Sequence, residues 1–150
     1  MQIKDGKREP RKIPSRSTWL HHEIYKSNPG INSIILTQSP YLMAFGVSNS
    51  VIDVRTIPES WIFLQAVATL PFGAHFRKTT HIPELLTLQN PAIIISNDSV
   101  IITGNKLLQT FDRLEVAEFS AKSIVLSAHF GKMVPINDAQ VEELRKEFLK

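Results

Sequence analysis

The sequence predicts a layered α/β domain, and three observations predict it. Short β-branched runs are interspersed with segments of helical spacing. Two of the runs, 92–96 and 100–103, are joined by Asn97-Asp98-Ser99, a tight-turn signal. A long apolar repeat at spacings of three and four then starts at Leu107. At 150 residues the chain fits one domain, long enough to bury about two thirds of its unfolded surface around one core. With 43% hydrophobic and 21% charged residues it lies far from disordered compositions.

The elements follow in order. Asp5-Gly6 is a two-residue turn signal, because glycine takes positive φ without penalty, so the N-terminus reads as a short hairpin ending at Pro14. Ser17 is placed to cap a helix that carries Trp19, Leu20, Ile24 and Tyr25 toward the core and stops at Asn28-Pro29-Gly30. Residues 33–36 then read as a short buried strand. Ser39-Pro40 starts a helix that should run to about Val47, since the missing proline N–H would have been unsatisfied at that position anyway.

Residues 62–70 read as an apolar extended segment ending at Pro71, and 83–88 as a short helix. The strands at 92–96 and 100–103 end at Gly104-Asn105. In the long helix after them, Leu107, Phe111, Leu114, Ala117, Ala121, Ile124, Val125 and Ala128 form one stripe expected to face the core. Asn137 stands three residues before Gln140, a capping-box pattern, with Val141, Leu144 and Phe148 as the apolar face of a final helix. Periodicity alone does not fix the strand order.

Composition narrows the function classes. With no cysteine there is no disulfide, thiolate metal site or cysteine nucleophile. No run of residues reaches the length of a membrane span and the first residues hold no signal-type apolar core, so a cytoplasmic location and no membrane partner are expected. Residues 1–16 carry six basic residues against two acidic, a local charge of +4, whereas the remainder has eleven against twelve. Without a basic stripe or interleaved aromatics elsewhere, this arm reads as protection of a strand edge rather than as a nucleic-acid contact.

Four segments together resemble the class II aldolase/adducin family. HEIYKSNPGINSII at 22–35 is similar to the family's H-x-x-I-Y-x-x-x-P-x-x-N-A-V-V. LTQSPY at 36–41 stands where the family has H-T-H-S-P-Y, and PAIIISNDSV at 91–100 resembles P-A-V-L-L-x-N-H-G-V. The likeness continues through Gly104 and the long helix, and covers most of residues 15–130. It implies a three-layer α/β sandwich, with a largely antiparallel central sheet and helices on both faces, and often assembly into a cyclic tetramer. Family members include aldolases of deoxy-sugar 1-phosphates, related epimerases and dehydratases, and the non-catalytic head domain of adducin.

The resemblance also implies which groups should do chemistry. In the aldolases three histidines hold zinc, which polarises substrate oxygens and stabilises enediolate charge. At those positions this chain has Leu36, Gln38 and Asp98, of which only Asp98 is a good ligand. The family's acid-base glutamate, in P-S-S-E, falls at Thr18 by counting back from His22, and no acidic residue lies between Glu9 and Glu23. A hydroxyl does not replace a carboxylate as general base near neutral pH.

Residues 1–16 match only the strand pair before P-S-S-E, so a domain without the family's first segment and its G-N-x-S phosphate loop is expected. Ser15, Arg16 and Ser17 remain as possible phosphate contacts. His21 and His22 point about 100° apart on a helix and do not chelate one ion. His75, His81 and His129 are isolated in sequence and read as surface or satisfied-core residues, while Asp98 also suits a plain turn.

Three readings follow. The favoured one is a non-catalytic family member with a binding, scaffold or oligomer-forming role, with no catalytic residue, metal or cofactor, and self-associated as a dimer or tetramer. The second is a lyase or isomerase on a phosphorylated sugar, working through a rearranged site around Thr18, Gln38 and Asp98. The third makes the chain part of a longer aldolase-like protein whose preceding portion supplies the phosphate loop or an active copy of the domain.

Overall fold

The β-branched runs near the middle and C-terminal half pair as the sequence predicts. In the computed structural model, residues 3–4, 7–8, 10–77 and 81–149 are described. Strands β3 (Ser33–Thr37), β4 (Val67–Leu70), β5 (Ala92–Ile95) and β6 (Ser99–Gly104) form a sheet in the order β3-β6-β5-β4. β6 is antiparallel to both β3 and β5, while β4 runs parallel to β5. Two of three pairings are therefore antiparallel, and β3, β4 and β5 all point the same way. Near the N-terminus β1 (Ile3–Lys4) and β2 (Lys7–Arg8) pair antiparallel, as a hairpin requires. The expected turn at Asp5-Gly6 lies outside the described residues.

Alternation along β5 and β6 sends consecutive isoleucines to opposite faces. Ile94, Val100 and Ile102 join a core with α2 (Pro40–Gly46), α3 (Pro58–Leu64) and α5 (Leu107–Ser127), against which α6 (Asp138–Phe148) also packs through Val141 and Leu144. Ile93, Ile95 and Ile101 join a second core with Leu20 and Ile24 of α1 (Thr18–Ser27) and Ile82 of α4 (Ile82–Leu85). The central strands are thus buried on both faces, which yields the expected three layers.

Helix ends depend on other partners than the sequence suggests. The Ser17 side chain caps nothing. Ser39 does not cap α2 either: Glu118 of α5 accepts the Tyr41 and Leu42 N–H groups, both at 2.9 Å, which ties a carboxylate to the positive end of that helix. The Asn137–Gln140 capping box on α6 forms reciprocally, at 3.0 and 3.1 Å.

Several expectations need correction, the last of them the facing of α5. Residues 62–64 are helical, because Pro58 fits the first helical turn of α3 and Gln65, at φ 49°, ends it before β4 begins. The short helix at 83–88 stops at Leu85, where Leu86 turns extended. β3 lies at the sheet edge and only Ser33 in it is buried, while Tyr25 of α1 is 41% exposed.

The last correction concerns α5. Leu107 and Phe111 are exposed, at 69% and 47%, and the face laid on the sheet carries Thr110, Arg113, Ala117, Ser120 and Ala121. Small side chains let the helix approach closely. Gly104 shows how closely, since a Cβ there would lie 2.6 Å from Thr110 Oγ1. Arg113 is satisfied by the carbonyls of Thr103 and Leu88, at 2.8 and 2.9 Å, and burial lowers its pKa.

Candidate functional site at the strand ends

Because β3, β4 and β5 are co-directional, their C-terminal ends gather at one edge of the sheet. Parallel pairing sets Leu70 beside Ile95, and Ser96 N–H donates to Leu70 O at 2.9 Å. The loop after β4 therefore runs past the β5–β6 turn. Gly73, at φ 78°, turns that loop into a short 3₁₀ segment, Ala74–Phe76. On the other side, the β3–β6 register sets Thr37 beside Val100, so Gln38 emerges next to Asp98.

The result is a cleft of about 330 Å³ lined by Ser15, Arg16, Ser17, Leu36, Thr37, Gln38, His75, Phe76, Asp98 and Ser99. Six of the seven positions singled out by sequence meet here. Thr18 does not line the cleft: it begins α1, with its N–H donating to Ser15 O at 3.1 Å. The count from His22 carries a one-residue slip, since Pro14-Ser15 stands one place early against P-S-S-E.

Asp98 is the centre of the polar contacts. Its Oδ2 accepts the Ser99 hydroxyl at 2.8 Å and lies 3.2 Å from His75 Nε2, while the Gln38 amide donates to its backbone carbonyl at 2.9 Å. Asn97, at φ 57°, takes the left-handed position of the turn and leaves Asp98 free to face the cleft. The His75 side chain is 6% exposed and that of Asp98 24%. With its proton on Nε2, His75 donates to the carboxylate; its buried Nδ1 meets no partner among the described residues.

Sequence reasoning missed His75. Twenty-three positions separate it from Asp98, and only the parallel β4–β5 pairing joins them. By contrast His81 is exposed and pairs with Glu84 at 2.8 Å, and His22 is exposed beside Glu23.

Also lining the cleft, the Ser15 and Ser17 hydroxyls lie 2.9 Å apart and the Arg16 guanidinium sits 5.7 Å from the centre of the Phe76 ring. Two hydroxyls and a guanidinium can accept negative charge; the His75–Asp98 pair can hold or move a proton. For zinc the donor set is poor. His75 and Asp98 supply two ligands, Gln38 offers only a neutral amide, and among the described residues no three His, Cys, Asp or Glu converge.

The family profile described as Class II Aldolase and Adducin N-terminal domain matches residues 1–125. The chain belongs to the class II aldolase and adducin family. It is 30% identical over 123 residues to an L-fuculose phosphate aldolase of Methanococcus vannielii, covering 79% of this chain and 65% of that protein. It is 26% identical over 136 residues to a 3-oxo-tetronate 4-phosphate decarboxylase of Haemophilus influenzae, covering 87% and 64%. The class II aldolase-like chain thus spans a little under two thirds of the length of these relatives.

Among solved structures, an L-fuculose 1-phosphate aldolase superposes with a TM-score of 0.78 at 19% identity, over 95% of this chain and 67% of that one. The YgbL structure from Klebsiella pneumoniae gives 0.73 at 23%, over 88% and 66%. These likenesses establish the class II aldolase-like fold. Among the described residues no helix is long and apolar enough to cross a membrane.

Proposed function

We propose that this class II aldolase-like domain does not perform the zinc chemistry of the sugar-phosphate aldolases and serves as a binding and self-associating domain. The observation that carries the reading is the state of the three positions expected to hold zinc. Leu36 has no donor, Gln38 offers only a neutral amide oxygen while its NH2 donates to the Asp98 carbonyl, and Oδ2 of Asp98 is engaged by Ser99 and His75. Of the three, only the Asp98 carboxylate is a strong zinc ligand. The two serines and Arg16 in the cleft lining support binding of a small anionic ligand, with Ser15, Arg16 and Ser17 as its contacts. Self-association as a dimer or tetramer belongs to the same reading.

A second reading is favoured by one observation, the His75–Asp98 pair. In it the domain, alone or within a longer protein, acts as a lyase or isomerase on a phosphorylated sugar by acid-base chemistry without three zinc ligands. Assays with L-fuculose phosphate, with and without added zinc, separate the two readings. No turnover in either condition, together with weak phosphate binding lost in Arg16→Ala, is expected from the first. Turnover abolished by His75→Ala supports the second and contradicts the first.

A further inference from the structure

The outward face of α5 carries large apolar side chains between charged ones. Leu108, Phe119 and Leu126 are 71%, 54% and 48% exposed, and with Asp112, Glu115 and Lys122 they line up on one side of the helix. Apolar side chains of this size at heptad-like spacing are the mark of a helix that packs against another helix. None of these three covers another part of the described chain's core.

The spacing of the six residues is 4, 3, 4, 3, 4, which reads the same in both directions. We infer that α5 pairs antiparallel with α5 of a second copy about a two-fold axis level with position 117, on the side of the helix away from the sheet. An interface of this symmetry must be complementary to itself. In that register Leu108 meets Leu126 of the second copy, Asp112 meets Lys122, and Glu115 meets Phe119 within a turn of the same lysine.

Charge selects this arrangement. Both acidic residues stand in the N-terminal half of the stripe and the lysine in the C-terminal half, so antiparallel pairing joins opposite signs twice, whereas parallel pairing stacks Asp112 on Asp112 and Lys122 on Lys122. Asp112 and Glu115 have no hydrogen bond or ion pair among the described residues, while the Lys122 ammonium lies 5.6 Å from the centre of the Tyr41 ring, at the border of the stripe. The paired length, from 108 to 126, is about 27 Å at 1.5 Å per residue. A single helix pair is small for an interface, so micromolar association is expected.

The inference rests on the self-association part of the proposed function and adds the face and the symmetry. Sedimentation equilibrium of the chain tests both separately. The wild type is expected to dimerise, Asp112→Lys to weaken dimerisation by roughly tenfold, and the double variant Asp112→Lys, Lys122→Asp to recover most of the loss, because the swap restores both pairs. Mixing Asp112→Lys with Lys122→Asp should yield a heterodimer tighter than either variant's homodimer. Circular dichroism of each variant confirms that the helix stays folded. A wild-type monomer across the micromolar range overturns both the inference and the self-association it deepens. An oligomer indifferent to these charge reversals, or a double swap without recovery, overturns the antiparallel α5 pairing alone.

Discussion

The body of the sheet and the cleft at its end are built from the same strands under different rules. Within the sheet, Ile93–Ile95 and Val100–Ile102 are almost wholly buried, and a wrong residue there is penalised by lost packing. One or two residues further along, at Gln38 and Asp98, side chains border open space, and their identity matters to a ligand far more than to stability. The difference would let a family fold be kept while residues at its strand ends vary. Sites at strand ends are separable from the scaffold beneath them.

That contrast is broken most directly by truncation in the sheet. Ile94→Ala removes a fully buried side chain between β5 and the α2–α5 layer and should cost about 2–5 kcal/mol in urea unfolding. Gly104→Ala forces a methyl group against Thr110 and should cost about 1–3 kcal/mol, by parting α5 from the sheet. Phe111→Ala marks the boundary: nearly half exposed, it should cost about 1 kcal/mol or less, and a loss as large as that of Ile94→Ala would show that the outward face of α5 is covered in the isolated domain.

At the cleft the effects should be smaller still. Gln38→Ala loses one exposed hydrogen bond to the Asp98 carbonyl, and its unfolding midpoint should barely move, by about 0.5 kcal/mol. The pH dependence contributes a last, small term. Burial lowers the pKa of His21 below its ordinary 6.5, so between the two values the unfolded chain binds more protons than the folded one. Stability should therefore fall as pH drops through 6.5, and His21→Gln should flatten that slope.

Local signals were the legible ones. The β5–β6 turn and the Asn137–Gln140 capping box are made of neighbours in sequence; the capping box stands as the pattern predicts, and the turn falls at 96–98, one residue earlier than Asn97-Asp98-Ser99, because Ser99 already pairs with Ile95. Helix α5 was legible in length but not in facing. Leu107, Leu108, Phe111, Leu114 and Phe119 surround much of its circumference, and residues that meet the sheet closely, such as Ser120 and Ala121, are small rather than apolar and large. Leu36, Gln38 and Asp98 came together through motif order. His75 carried no such signal, since its partner is set by a parallel strand pairing and its own loop has no motif.

In the proposed reading the cleft has exchanged metal ligation for contacts among its own side chains. The triple variant Leu36→His, Gln38→His, Asp98→His should gain zinc affinity, and without a carboxylate near Thr18 it should remain unable to cleave L-fuculose phosphate. Metal analysis of the purified wild-type chain after zinc loading and dialysis tests the claim most directly. The account predicts no stoichiometric zinc, because Leu36, Gln38 and Asp98 provide one strong ligand and His75 a second. One tightly held zinc per chain, lost on His75→Ala or Asp98→Ala, would contradict it.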